Sequence, residues 1–339
     1  MLPDGRIKLA ALKVYHHVVA IALASAATVL SQAAFAQGDY PNRAIRLISP
    51  SPPAGVHDVI GRLWAESIKP YLGTVVVENK PGAGTLIGAT EAAKADPDGY
   101  TLLIGSTSSH VIAPVLSAQT TFEPLRDLTT IAIVSSSATA IAVHPSVPAR
   151  TLTQLIEYAK ANPGKLSYGS AGIGSMSQMS GELFKQLAGG LNILHIPYKG
   201  AGPSITDLIS GHIPIATPNA TGQVLDLHRT GKIRILAINA QARLKAAPDI
   251  PTAIEQGLTG MRAEFFCGIF APAHTPKVIV ERVNRATQKV LHDEAFQTRL
   301  GDLGYEAVMD SGPDQSDAFI RNEQMRWTPI VLASKKEKP

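Results

Sequence analysis

From residue 45 onward, short β-branched apolar runs alternate with stretches whose apolar positions recur every three or four residues. Period-two or continuous apolar runs of four to eight residues read as strands, and the longer periodicity as helices packing one face on a core. Ile45–Ser49 predicts a strand, His57–Tyr71 an amphipathic helix, Val75–Glu78 a strand and Leu86–Lys94 a helix. The turn Asp96-Pro97-Asp98-Gly99 then leads into a strand over Tyr100–Gly105. After a long extended stretch, Ile131–His144, the alternation starts again. Thr151 caps a helix that runs to Ala161 and stops at Asn162-Pro163-Gly164. Strands over Leu166–Ser170, Ile193–Pro197, Ile213–Thr217 and Ile233–Ala240 follow, separated by helices over Gln178–Ala188, Pro203–Ser210 and Gly222–Thr230. Glu264–Ala271 is a second extended run. The remainder is mostly helical, over Pro276–His292, Ala295–Leu303 and Gln315–Leu332, with a strand at Tyr305–Met309.

Strand–helix alternation of this kind predicts an α/β protein with parallel sheets covered by helices on both faces. The two extended runs bracket the second alternating unit. If both cross between units, the first is discontinuous and the second is inserted into it, which makes a two-stranded hinge with a cleft between two lobes. The expected division is 1–36, then 37–138 with 268–339 as lobe one, and 139–267 as lobe two. Ligands of open α/β sheets sit beyond the carboxyl ends of the strands, so the cleft is the expected site.

The first 36 residues follow a different pattern. Arg6, Lys8 and Lys13 precede an apolar stretch from Val18 to Leu30, and the segment ends in Ala34-Phe35-Ala36. A basic start, a short apolar run and a small-x-small ending are the parts of a secretory signal peptide, cleaved after Ala36. This changes the reading of composition. The 339 residues carry a formal net charge of +4, but the leader holds three of the basic side chains and only Asp4 as an acid. Half the excess charge leaves with it. The remaining charges are interspersed, so a nucleic-acid partner is not expected. One cysteine, Cys267, excludes an intramolecular disulfide or thiolate cluster, and the scattered histidines form no metal-binding spacing. The expectation is an exported monomer without metal, cofactor or catalytic residue.

Three strand-to-helix turns are rich in glycine and hydroxyls. In the first, Ser51, Pro53, Ala54, Gly55, Val56, His57 and Asp58 are candidates; in the second, Ser106, Thr107 and His110; in the third, Ser170, Ala171, Gly172, Gly174, Ser175 and Ser177. Small residues before a helix start leave backbone N–H groups and the helix dipole free to receive an anion. No Lys or Arg stands in these turns, so His57 and His110 are the only cations they could supply. The Gly82-Ala83-Gly84 run resembles a dinucleotide fingerprint but does not close the first strand. Cys267, among Phe265, Phe266 and Phe270, reads as a small core residue. No G-x-S-x-G elbow is present, although Ser–His pairs could meet across the cleft.

Further stretches are specific in kind and order: Tyr40-Pro41-Asn42-Arg43, Pro52-Pro53-Ala54-Gly55, Val77-Glu78-Asn79-Lys80-Pro81-Gly82-Ala83-Gly84 and Pro97-Asp98-Gly99-Tyr100-Thr101-Leu102-Leu103. Ala161-Asn162-Pro163-Gly164-Lys165-Leu166, Gly181-Glu182-Leu183-Phe184, His195-Ile196-Pro197-Tyr198-Lys199-Gly200 and Pro248-Asp249-Ile250-Pro251-Thr252 follow. Together they resemble the Bug-type periplasmic solute receptors of tripartite tricarboxylate transporters. The resemblance implies a two-lobed, type II-like periplasmic binding protein fold with Rossmann-like lobes. It also implies capture of a small carboxylate and delivery to the transporter's membrane permease. In that family two loops hold the ligand carboxylate, corresponding here to Ser51–Asp58 and Ser170–Ser177, and Asn219 falls at a further family position. The sequence departs from the family at Ala54, Val56 and His57, where a glycine and small hydroxyl residues are usual. It departs again at Pro218 beside Asn219, where an acid is common, and at Gln178, where a histidine is. The ligand's identity therefore does not carry over. Two other readings are a ligand sensor for a signalling system and a secreted hydrolase using a cleft Ser–His pair.

Intact-mass spectrometry of periplasmic material is expected to show a chain beginning at Gln37; a mass retaining residues 1–36 would refute the leader.

Overall fold

The computed structural model describes residues 40–117 and 122–336, so the expected leader and its cleavage site lie outside them. In chain order the first elements are β1 (Ile45–Ser49), α1 (Val56–Leu72), β2 (Val75–Asn79), α2 (Leu86–Ala93) and β3 (Thr101–Ser106). A wide helical turn at Ser108–Ile112 runs into α3 (Ala113–Leu116), and α4 (Pro124–Asp127) leads to β4 (Leu128–Ala138). The second unit comprises β5 (Ala140–Val143), α5 (Leu152–Ala161), β6 (Leu166–Ser170), α6 (Met176–Leu187), β7 (Ile193–Pro197), α7 (Ala201–Ser210), β8 (Ile215–Ala216), α8 (Gly222–Arg229) and β9 (Arg234–Ile238). The chain ends with β10 (Glu264–Pro272), α9 (Lys277–Leu291), α10 (Glu294–Asp302), β11 (Glu306–Ala307) and α11 (Pro313–Lys336).

These strands form two sheets, in the orders β11-β4-β10-β3-β1-β2 and β7-β6-β8-β5-β9. β1 pairs parallel to both β2 and β3, and β6 parallel to β7 and β8, as strand–helix–strand connections require. Helices cover both faces of such strands, which is why Ile45, Leu47 and Ile48 are all fully buried. α1 inserts Ile60, Leu63, Trp64 and Ile68 along one stripe, and α9 inserts Val283, Ala286 and Val290.

The chain passes between the sheets at two places. β4 in the first sheet is followed, after Thr139 alone, by β5 in the second; the return is at Ala263, immediately before β10. Glu264–Cys267, which the division at 267/268 assigns to the inserted lobe, pair with Ala138–Ser135 in the first sheet. The crossings are bonded to each other. Thr139 N donates to Ala263 O (2.9 Å), Ala263 N to Asn239 O (2.8 Å) and Asn239 N to Thr139 O (2.8 Å). Beneath them lies a buried polar cluster. Asn239 Nδ2 donates to Thr139 Oγ1 (2.9 Å) and Ser180 Oγ (3.1 Å), the two hydroxyls are 2.8 Å apart, and Thr139 Oγ1 donates to Ala263 O (3.0 Å).

The C-terminal helix α11 braces the same region. Its buried Glu323 accepts from Trp327 Nε1 (2.9 Å), pairs with Arg326 (2.6 Å) and reaches Arg262 (3.4 Å), while Arg326 Nη1 donates to Arg262 O. Toward its end, Ile330, Ala333 and Ser334 face Glu182, Lys185 and Gln186 of α6 across a cavity of about 230 Å³. One helix thus touches both lobes.

Thr139→Val keeps the shape but removes the hydroxyl that Ser180 and Asn239 bond. Urea unfolding is expected to show a loss of about 1–3 kcal/mol, the cost of buried polar groups left short of partners.

Candidate functional site

The first turn joins β1 to α1. Gly55 N donates to Pro52 O (3.0 Å), which folds the loop back, and Ala54 takes φ of 63°, a left-handed backbone that costs a non-glycine residue about 1–2 kcal/mol. Asp58 offsets this by accepting from Ala54 N (2.9 Å), and it also holds Arg62 Nε (2.9 Å) and Asn79 Nδ2 (2.9 Å). Burial would raise its pKa, but the bonds from Arg62, Ala54 and Asn79 outweigh that and keep it ionised. Asp58 therefore builds the loop from behind. Gly55 supplies no side-chain cap, and among the described residues the amides of Val56, His57 and Asp58 have no acceptor. The start of α1 is left open to an anion.

The second turn contributes less than its composition suggests. Ser106 Oγ lies 2.7 Å from His57 Nε2 and accepts from Ser108 N (3.1 Å). Thr107 Oγ1 instead accepts from Phe266 N (2.9 Å), and His110 is buried, stacked on Phe270 at 3.8 Å and bonded through Nδ1 to Ser109 Oγ (2.9 Å). Thr107 and His110 support the first lobe rather than an open turn.

The third turn joins β6 to α6. Gly172 has φ of 125°, and a Cβ there would lie 2.8 Å from Tyr198 O, so only glycine fits. Several of its amides are already paired: Ala171 N with Ser177 Oγ (2.9 Å), Gly172 N with Ser170 Oγ (3.1 Å) and Gly174 N with Gln178 Oε1 (2.8 Å). Ser175 caps α6 by accepting from Gln178 N (3.1 Å). The amides of Ile173, Met176 and Ser177 have no acceptor among the described residues. Ser170 Oγ is 2.7 Å from His195 Nε2, whose ring stacks on Tyr168 at 4.8 Å.

A row of rings links the first turn to the second lobe. His57 meets Phe265 edge-on at 6.1 Å, Phe265 meets Tyr305 at 6.4 Å, and Tyr305 Oη accepts from Asn219 Nδ2 at 3.4 Å. Leu116 closes against the third turn, where a side chain on Gly174 would lie 3.1 Å from Leu116 Cδ1. Gly304 packs so tightly on Thr221 that a Cβ there would fall 2.2 Å from its Cα. The structure thus groups His57, Ser106 and Asn219 through Phe265 and Tyr305, and Gly174 with Leu116. Phe265, Tyr305, Leu116 and His195 are absent from the candidate site residues of the sequence. Phe265 and Tyr305 read there as strand positions, and the pairing of Gly174 with Leu116 leaves no sequence signal.

Charge at the site also differs from expectation. Burial lowers the pKa of His57 to about 4 and that of His110 to about 3. His195 is lowered to about 4 by burial, with Lys185 adding. The expectation that His57 and His110 can act as cations is therefore corrected: both are neutral above pH 5, because leaving water disfavours the charged ring. Among the described residues no cluster of His, Cys, Asp or Glu is arranged to hold a metal ion, and no helix is long and apolar enough to cross a membrane.

Comparison with known proteins places this geometry. Residues 60–335 match the family described as tripartite tricarboxylate transporter family receptor. The protein BugT of Bordetella pertussis is 34% identical over 294 residues, covering 86% of this chain and 89% of its own. The solved periplasmic binding protein BugD is 33% identical with a TM-score of 0.76, covering 88% of this chain and 100% of its own. An R. palustris protein solved with adipate is 29% identical with a TM-score of 0.78, covering 87% and 98%. The two-lobed periplasmic binding protein fold expected from the sequence is the fold of these structures.

Because folded His57 and His110 have pKa values below the ordinary 6.5, the unfolded chain binds more protons as pH falls from about 6.5 to 4, and stability falls with it. Each is expected to remove about 2 kcal/mol between pH 7.5 and pH 5. Urea unfolding of His57→Gln should show a loss over that interval smaller than wild type by about that amount; an equal loss would contradict the burial of a neutral ring.

Proposed function

The chain belongs to the tripartite tricarboxylate transporter receptor family, and from that premise we propose that it captures a small carboxylate between its lobes in the periplasm and delivers it to the membrane permease of such a transporter. The observation that carries this reading is the pair of helix starts with open amides, Val56 to Asp58 on lobe one and Ile173, Met176 and Ser177 on lobe two. Ser51 and Ser106 flank the first set, Ser170 and Ser175 shape the second, and Asn219 stands at the end of the ring row. Pro53, Ala54 and Gly55 form the rim of the first turn, and Ala171, Gly172 and Gly174 set the backbone of the third.

Hydrogen bonds to a charged group contribute about 1.5–3 kcal/mol each. Four give roughly 6–12 kcal/mol before ordering and desolvation, in the range of the −8.2 kcal/mol that a micromolar constant requires. In this reading the lobes are residues 37–138 with 264–339, and 139–263, and they bend about Thr139 and Ala263. One chain supplies both helix starts, so a monomer suffices. A sensor would use the same site and differ only in the protein that reads the closed form. Ser–His contacts do occur, as a hydrolase would need. However, no carboxylate among the described residues is hydrogen-bonded to His57, His110 or His195, which supports binding over turnover.

A thermal-shift screen of carboxylates on the mature protein, followed by calorimetry, tests the reading. A bound acid at 100 times its dissociation constant should add about 2.7 kcal/mol of stability. Gly172→Ala, which forces a side chain onto Tyr198 O, is expected to weaken that acid at least tenfold while circular dichroism stays native. A screen in which no carboxylate stabilises the protein would overturn the proposal.

A further inference from the structure

We propose that Leu116 is a catch that holds the lobes together at the third turn. The lobes part there while they stay joined where Gly304 packs on Thr221. This rests on the reading of the cleft as the binding site and adds a positioning residue to it. Leu116 acts on the arrangement of the lobes and not on the acid itself.

One contact between the lobes adjoins the crossings. Pro218–Ala220 run beside Ala138–Ala140, with Ala140 N donating to Pro218 O (2.8 Å) and Ala220 N to Ala138 O (2.8 Å). The next two residues, Thr221 and Gly222, receive Gly304, where a Cβ would fall 2.2 Å from Thr221 Cα and 2.9 Å from Gly222 N. Gly304 has φ of 80°, so backbone rests on backbone with no side chain to adjust. This rigid contact next to the crossings is the pivot.

The contact at Leu116 lies apart from them. The third turn follows β6, which β8 separates from the crossing strand β5. Gly174 is buried at the bend of this turn. A Cβ there would meet Leu116 Cδ1 at 3.1 Å, and among the described residues nothing else beyond its chain neighbours lies within 4 Å of that position. Attachments within lobe one aim Leu116. Gln324 Nε2 of α11 donates to His110 O in the wide turn before α3 (2.7 Å), and Lys335 Nζ donates to Val115 O. A cation on the last carbonyls of a helix is favourable, so α3 is held at both its approach and its end. α11 also faces α6 on this side, but across the cavity of about 230 Å³, which leaves room to part. Leu116 itself is half-buried, and its methyl groups can leave a glycine bend without breaking a hydrogen bond. Losing the catch lowers the share of molecules whose two helix starts reach one acid together. Apparent affinity then falls by that share, whichever acid is bound.

Interlobe distance tests this directly. Cys267 is buried, so nitroxide labels can sit on cysteines introduced at the exposed Ile87 and Lys199, which follow β2 and β7 on opposite lobes. Double electron–electron resonance on the ligand-free mature protein is expected to give longer distances for Leu116→Ala than for wild type. Leu116→Val should be intermediate, and Leu116→Met should keep the wild-type distribution. Calorimetry with succinate and adipate should show Leu116→Ala weakening both by the same factor, at least threefold, with the fold of each variant checked by circular dichroism. Unchanged distances would overturn the catch. A loss confined to adipate, the longer acid, would also overturn it, since Leu116 would then be a wall against the bound molecule. If neither acid binds and the wider screen is blank, the carboxylate reading fails, while the distances still decide the catch.

Discussion

The backbone hydrogen bonds that tie Thr139, Ala263 and Asn239 together are the constraint on which the rest of the molecule depends. One strand leaves the first sheet for the second and another returns beside it, and Thr139, Ala263 and Asn239 satisfy one another's amides in a ring where neither sheet reaches. A single unpaired crossing would leave polar backbone buried without partners. With the crossings bonded, the two lobes are joined along one short line of backbone, and the two open helix starts lie one on each lobe. Ser180, in the middle of α6, is bonded into the same cluster, so the helix that forms the third turn is anchored at that line. α11 adds a second restraint from the outside through Glu323, Arg326 and Arg262.

Against that frame, the site follows an electrostatic plan based on neutral donors. Asp58, Ser175 and Gln178 occupy the amides nearest each turn's bend and leave others unoccupied. His57, His110 and His195 are withdrawn from water and remain uncharged, so in the proposed function attraction for an anion would come from oriented peptide dipoles rather than from mobile cations. Such donors are fixed by the fold and lose little freedom on binding.

Much of this was legible in the sequence, because local pattern and tertiary role agree at the strands. Ile45–Ser49, Leu166–Ser170 and Ile193–Pro197 have the same limits in the chain and in the structure. Thr151 caps α5 through Gln154 N as its position suggests. The failures have identifiable causes. Ser108–Ile112 and Pro124–Asp127 are too short to show a helical period, and Ile213–Thr217 shrinks to Ile215–Ala216 because only those two residues lie in ladder register with both β5 and β6. His57 reads as a cation until Phe265, distant in the chain, is laid against it. Likewise Gly174 offers a free amide on paper, and Gln178 takes it only once α6 has turned.

The position of β10 has a consequence for how the chain comes to be folded. It lies between β3 and β4 in the first sheet, although all of β5 through β9 is made before it. A chain emerging from its N-terminus can complete the second sheet while the first still has a one-strand gap at its centre. Until Glu264–Pro272 arrives, β3 and β4 each present an unpaired inner edge, the kind of surface that pairs with other chains. The order of synthesis and the order of the sheet are therefore at odds, and the nascent protein has to be kept from its neighbours for as long as the whole inserted lobe takes to appear.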